Sequence, residues 1–142
     1  MVGTLEGTDT VFQRAYGNPV SAHYGVALDG RIHQYVSLDD GAWANGGPNP
    51  GWRWPFGVEN PNHRTISIET EDNGHPDTEP VSEAQYNAVV SLYRAVVQPR
   101  WPGITRLVAH RVINPGHSCP AQRWLSGRFQ QLGDELGLEV LV

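Results

Sequence analysis

The chain carries one cysteine, Cys119, among its 142 residues, so an internal disulfide is excluded. That thiol is left as a small buried group, a nucleophile or a metal ligand. No apolar run approaches the length of a membrane span. Basic residues form no run able to neutralise a series of phosphates, and the net charge is −5. Nucleic acid and anionic membranes are therefore disfavoured as main partners. The opening MVGTLEGTDT lacks the charged and apolar regions of a secretion signal, so no targeting address is expected from it. Internal repeats and low-complexity stretches are also lacking.

What is there suffices for one globular domain spanning 1–142, with no boundary inside it. The 16 glycines, 11 prolines and 5 tryptophans make it loop-rich, and loops are where function concentrates. Thr8 or Asp9 is expected to cap a short helix with Phe12 and Tyr16 on one face, ended by Gly17-Asn18-Pro19. Residues 21–26 and 31–36 read as antiparallel strands joined at Asp29-Gly30, a strong hairpin signal. Residues 39–62 have no sustained period and form a long loop carrying Trp43, Trp52 and Trp54. Over 65–71, Ile66 and Ile68 alternate with Ser67 and Glu69, which predicts a strand with Glu69 on the face opposite the isoleucines.

Ser82-Glu83-Ala84-Gln85 is a capping box, and apolar residues from Tyr86 to Val97 follow at helical spacing until Pro99, where the helix should stop. A short β-branched strand over 105–109 delivers His110 at its end, and Leu125, Phe129, Leu132 and Leu136 predict a final amphipathic helix. Strands interspersed with helices predict an α/β domain with a mixed sheet.

The richest constellation is 110–119, which sets an imidazole, His110, and a thiol, Cys119, at the two ends of a loop bent by Pro115-Gly116. Both are good zinc ligands. The spacing does not separate a metal pair from a Cys-His nucleophile pair, because both need the side chains to converge.

Further blocks occur in order: Val20-Ser21-Ala22-His23-Tyr24, Asp29-Gly30-Arg31-Ile32-His33-Gln34-Tyr35, Ala42-Trp43-Ala44-Asn45-Gly46, Asn62, Thr65-Ile66-Ser67-Ile68-Glu69, Ala109-His110 and Ser118-Cys119-Pro120. Together they resemble the type 2 N-acetylmuramoyl-L-alanine amidases, a family shared by phage endolysins, wall-recycling amidases and peptidoglycan recognition proteins. The resemblance implies a central mixed sheet flanked by helices, and a zinc ion held by two histidines and a cysteine or aspartate. It also implies hydrolysis of the amide joining muramic acid to L-alanine in peptidoglycan. On that pattern His110 and Cys119 are metal ligands and Glu69 is the carboxylate that moves the proton. His117 takes the place of a lysine that stabilises the oxyanion. Tyr24, Trp43 and Asn45 are expected to contact the glycan or the stem peptide.

The same pattern puts the first zinc histidine, and the first strand of the sheet, before Met1. The domain is accordingly expected to be N-terminally incomplete and its metal site short of one ligand. The expected role is a phage or actinobacterial lysin acting on the bacterial wall as a monomer. Such a lysin would be released through a holin or secreted as part of a longer protein. Two alternatives stand beside it. A non-catalytic wall-binding module is favoured by the absent histidine. A cysteine peptidase is disfavoured because no helix start near Cys119 lowers its pKa.

Overall fold

The computed structural model describes residues 3–13, 20–46, 60–72 and 80–142. Strands β1 (Tyr24–Val26) and β2 (Ile32–Gln34) pair antiparallel, with Gly25 opposite His33. The turn sits where Asp29-Gly30 placed it, and Gly30 adopts φ 88°, a conformation glycine takes without strain. Strand β3 (Ile68–Thr70) runs parallel to β1 and sets Glu69 opposite Gly25. As expected, Ile66 and Ile68 pack on the apolar core, which leaves Glu69 on the other face.

Helix α1 (Leu5–Phe12) corrects the sequence reading. Thr4, not Thr8 or Asp9, is its cap, accepting from the Gly7 N–H at 3.0 Å. Leu5 and Thr8 are then fully buried, and Asp9 is free to accept from the Tyr35 hydroxyl at 2.7 Å. Close approach of α1 to β1 depends on Gly25, where a Cβ would stand 2.8 Å from Leu5 Cδ1. Tyr16 and Gly17-Asn18-Pro19 lie outside the described residues.

Helix α2 (Glu83–Leu92) starts at Ser82, whose hydroxyl accepts from the Gln85 N–H, but the box is half made. The Gln85 side chain turns inward instead and donates to Val26 O and Glu71 O, both at 3.0 Å. Pro99 does not stop the helix. A π turn over Tyr93–Val97 widens it, and α3 (Gln98–Arg100) carries Pro99 in its first turn. Proline lacks an N–H and crowds the carbonyl four residues back, and the wider turn relieves both conflicts.

Strand β4 (Arg106–Val108) pairs parallel with β5 (Glu139–Leu141), a strand the sequence reading did not foresee. The single final helix expected there is two. Short α5 (Gln122–Leu125) and longer α6 (Arg128–Leu136) are broken at Gly127, whose φ is 113°. Among the described residues the strands form two sheets, β2-β1-β3 and β4-β5, in place of one central sheet. The class is mixed α/β as expected, and both sheets lean on one core of Tyr24, Val26, Tyr86, Val89, Trp124 and Leu132, among others.

Candidate active site

His110 is positioned from behind and from ahead. The preceding Ala109 is buried and donates to Leu141 O at 2.8 Å, which pins the end of β4 to β5. His110 itself opens α4 (His110–Ile113). The chain then turns on buried Asn114, which donates to His110 O at 2.8 Å and accepts from the His117 N–H at 3.0 Å. It comes back far enough for the Arg111 N–H to donate to Cys119 O at 2.9 Å. This fold-back brings the two ends of the loop together. It also stacks the His117 ring on the His110 ring, centroids 4.5 Å apart and planes 20° from parallel.

Burial lowers the pKa of His110, and His117 beside it lowers it further while Glu69 opposes. The imidazole is therefore held neutral, the form that binds metal. The Cys119 thiol is shifted upward, first by desolvation from the loop packed round it and then by the Glu69 and Asp72 carboxylates, although the residue still reaches solvent. A thiol raised in this way is a poor free nucleophile, which weakens the cysteine-peptidase alternative. Glu69, His110 and Cys119 line one cleft, and His117 reaches it only through its stack on His110.

The donors fit zinc in part. His110 Nε2 is buried and has no hydrogen-bond partner, an orphan that coordination would satisfy. Imidazole and thiolate suit a borderline-soft cation. Among the described residues no group of three or more His, Cys, Asp and Glu side chains is gathered, so His110 and Cys119 supply two positions. His23 cannot be a third. Its Nε2 faces Asp40 O at 3.0 Å and its Nδ1 accepts from the Ser67 N–H at 3.1 Å.

Glu69, His110 and Cys119 line a cleft of about 990 Å³ that runs between β3 and β4 and reaches Trp43, Asn45 and Asn62. Trp43 is 43% exposed on its wall. Asn45 is buried and its amide is committed inward, to Asn62 Oδ1 and Thr65 Oγ1, both at 3.2 Å. Asn62, assigned no role from its residue type, organises this wall. It accepts from the Asn45 backbone N–H at 2.8 Å and donates to Gly46 O at 2.9 Å. The only sequence signal for it was the turn-forming Asn60-Pro61-Asn62 triplet.

Tyr24 corrects the sequence reading: it is 4% exposed, packs in the core and does not line the cleft. Strand alternation turns its neighbour Gly25 toward the Glu69 face and Tyr24 away. Trp52, Trp54 and His75 lie outside the described residues.

The sequence matches the model of the N-acetylmuramoyl-L-alanine amidase family over residues 2–122. The chain belongs to this family. A curated relative of this chain is the 1,6-anhydro-N-acetylmuramyl-L-alanine amidase AmpD of Haemophilus influenzae, 35% identical over 123 residues. That match covers 81% of this chain and 62% of the relative. The fold also matches the crystal structure of a Se-Met AmpD derivative, with a TM-score of 0.65 and 32% identity. It covers 80% of this chain and 60% of the AmpD chain. The chain thus spans about three fifths of the length of the relatives it matches.

Proposed function

We propose that this protein is a zinc-dependent N-acetylmuramoyl-L-alanine amidase acting on peptidoglycan. The observation that carries the reading is the orphaned, buried Nε2 of a neutral His110 in the same neighbourhood as Cys119 and Glu69. A zinc ion on His110 and Cys119 would supply Lewis-acid polarisation of the scissile carbonyl and a nucleophile active at neutral pH. Glu69 takes the proton from the attacking water and delivers it to the departing L-alanine nitrogen. His117, stacked on His110, donates a hydrogen bond to the carbonyl oxygen as negative charge builds there. Trp43 offers a ring face to the sugar at the cleft wall.

Two substrates fit this chemistry. A lysin role at the cell wall calls for intact, insoluble peptidoglycan. The relative named for 1,6-anhydro-N-acetylmuramyl-L-alanine favours a soluble wall fragment. The two-donor metal set among the described residues favours a second reading, a wall-binding module without catalysis.

Zinc content, measured together with release of L-alanine-linked peptides from purified walls and from a soluble anhydro-muropeptide, separates these readings. Zinc binding with peptide release, both lost in His110→Ala, is expected, with release alone lost in Glu69→Gln. A protein that takes up no zinc and cleaves neither substrate is not an amidase, and retention on walls would then support the binding module.

A further inference from the structure

The cleft contains a second chemical feature that the reaction as written does not use. Arg123, on α5 just beyond Cys119, is 5% exposed and lines the cleft wall. A guanidinium carries five N–H donors. Here Nη2 donates to Gln85 Oε1 at 2.7 Å, and Nε is buried with no partner. No carboxylate forms an ion pair with it among the described residues, although Glu69 and Asp72 line the same cleft. A desolvated cation whose acceptor among the described residues is a neutral amide is costly unless an anion completes it.

The position is built with care. Gln85 cannot swing away, because its amide nitrogen is held by Val26 O and Glu71 O at the ends of β1 and β3. Its oxygen is therefore aimed at Arg123. The next residue, Trp124, is buried and its Nε1 donates to Thr70 Oγ1 at 3.0 Å, which fixes α5 to the core face at the end of β3. Both clamps hold Arg123 at the same end of the sheet as the proposed proton carrier.

We propose that Arg123 is the carboxylate-binding residue of the cleft, accepting a free carboxylate carried by the peptide part of the substrate close to the scissile amide. The planar guanidinium matches a carboxylate in a forked geometry. Glu69 and Asp72 line the same cleft and disfavour a polyanion there, so a single carboxylate fits better than a phosphate group. This assignment rests on the amidase reading for the identity of the ligand, and on the geometry of Arg123 alone for its charge preference.

The test uses metal-stripped protein, inactive on the amidase reading, titrated calorimetrically with the γ-methylamide of N-acetylmuramoyl-L-alanyl-D-glutamate, whose one carboxylate is the α-carboxylate, and with the α-amide of that compound. The acid is expected to bind about tenfold or more tightly than the amide, the scale of a charge-assisted hydrogen bond. Arg123→Gln removes the preference by weakening the acid only, and Arg123→Lys retains part of it. Equal binding by the wild type, or a preference that survives in a folded Gln variant, overturns the assignment.

If the Gln variant does not fold, the Arg123 Nε–H resonance in ¹⁵N-arginine-labelled wild type replaces it. The acid should shift that resonance and the amide should not, and a resonance unmoved by the acid also overturns the proposal. Zinc-loaded protein that binds the acid selectively yet cleaves neither compound upholds the carboxylate site and overturns the amidase reading.

Discussion

Replacing His23 with leucine removes the buried polar link between the sheet and the loop that carries Trp43 and Asn45. His23 is 1% exposed, accepts from the Ser67 N–H and donates to Asp40 O. Leucine leaves the Ser67 N–H unsatisfied, a loss of about 1–3 kcal/mol, with a smaller loss at Asp40, which is exposed. We expect about 2–4 kcal/mol of destabilisation in urea at neutral pH. The pH dependence is the sharper readout.

Burial lowers the pKa of His23 below its unfolded value of 6.5, so the unfolded chain takes up the proton first as pH falls. The contribution is complete above that pH and is lost below it, by up to about 1.4 kcal/mol per pH unit until the folded-state value is reached. The variant lacks this slope. Stability curves for the wild type and His23→Leu that run parallel from pH 7.5 to pH 5 would refute the argument.

Gly133→Ala should destabilise by about 1–3 kcal/mol in denaturant melts, because its Cβ would run into Val140 Cγ2 and stand 3.2 Å from Leu138 O. Gly103→Ala, with nothing within 4 Å, should be neutral, and Val140→Ala should rescue the first variant. Asn62→Ala should raise KM for a muropeptide with little change in zinc affinity, since it holds the 42–46 wall and no metal ligand. Tyr24→Phe should leave KM unchanged while Trp43→Ala raises it several-fold, in line with core and cleft positions. Zinc should slow alkylation of Cys119 by iodoacetamide, and His110→Ala should abolish that protection while leaving the unloaded rate within about twofold.

Much of the fold could be read locally. Asp29-Gly30 made a hairpin because a tight loop over 28–30, closed by Gly30 N–H on Ala27 O, needs a residue at positive φ, which glycine supplies at Gly30. The period of Ile66 and Ile68 put Glu69 on the opposite face of its strand. The fold-back of 110–119 was harder, since Pro115-Gly116 signals a bend and not the partners it brings together. Pro99 misled because a π turn can absorb a proline, and the adjustment leaves no local signature. Leu125 and Phe129 kept helical spacing across Gly127 even though the chain breaks there. Strand β5 was invisible because three residues carry no period.

The sequence by itself determined which side chains were available for chemistry: one thiol, no lysine, and a carboxylate facing away from the apolar core. Those are matters of residue type and local period. Only the tertiary structure decided which of them meet. It stacked His117 on His110, withdrew Tyr24 and His23 from the cleft, and left Arg123 buried against Gln85 with a donor unused. Each of those outcomes depends on contacts between residues far apart in sequence, where burial and hydrogen-bond satisfaction are set by the partner and not by the neighbour.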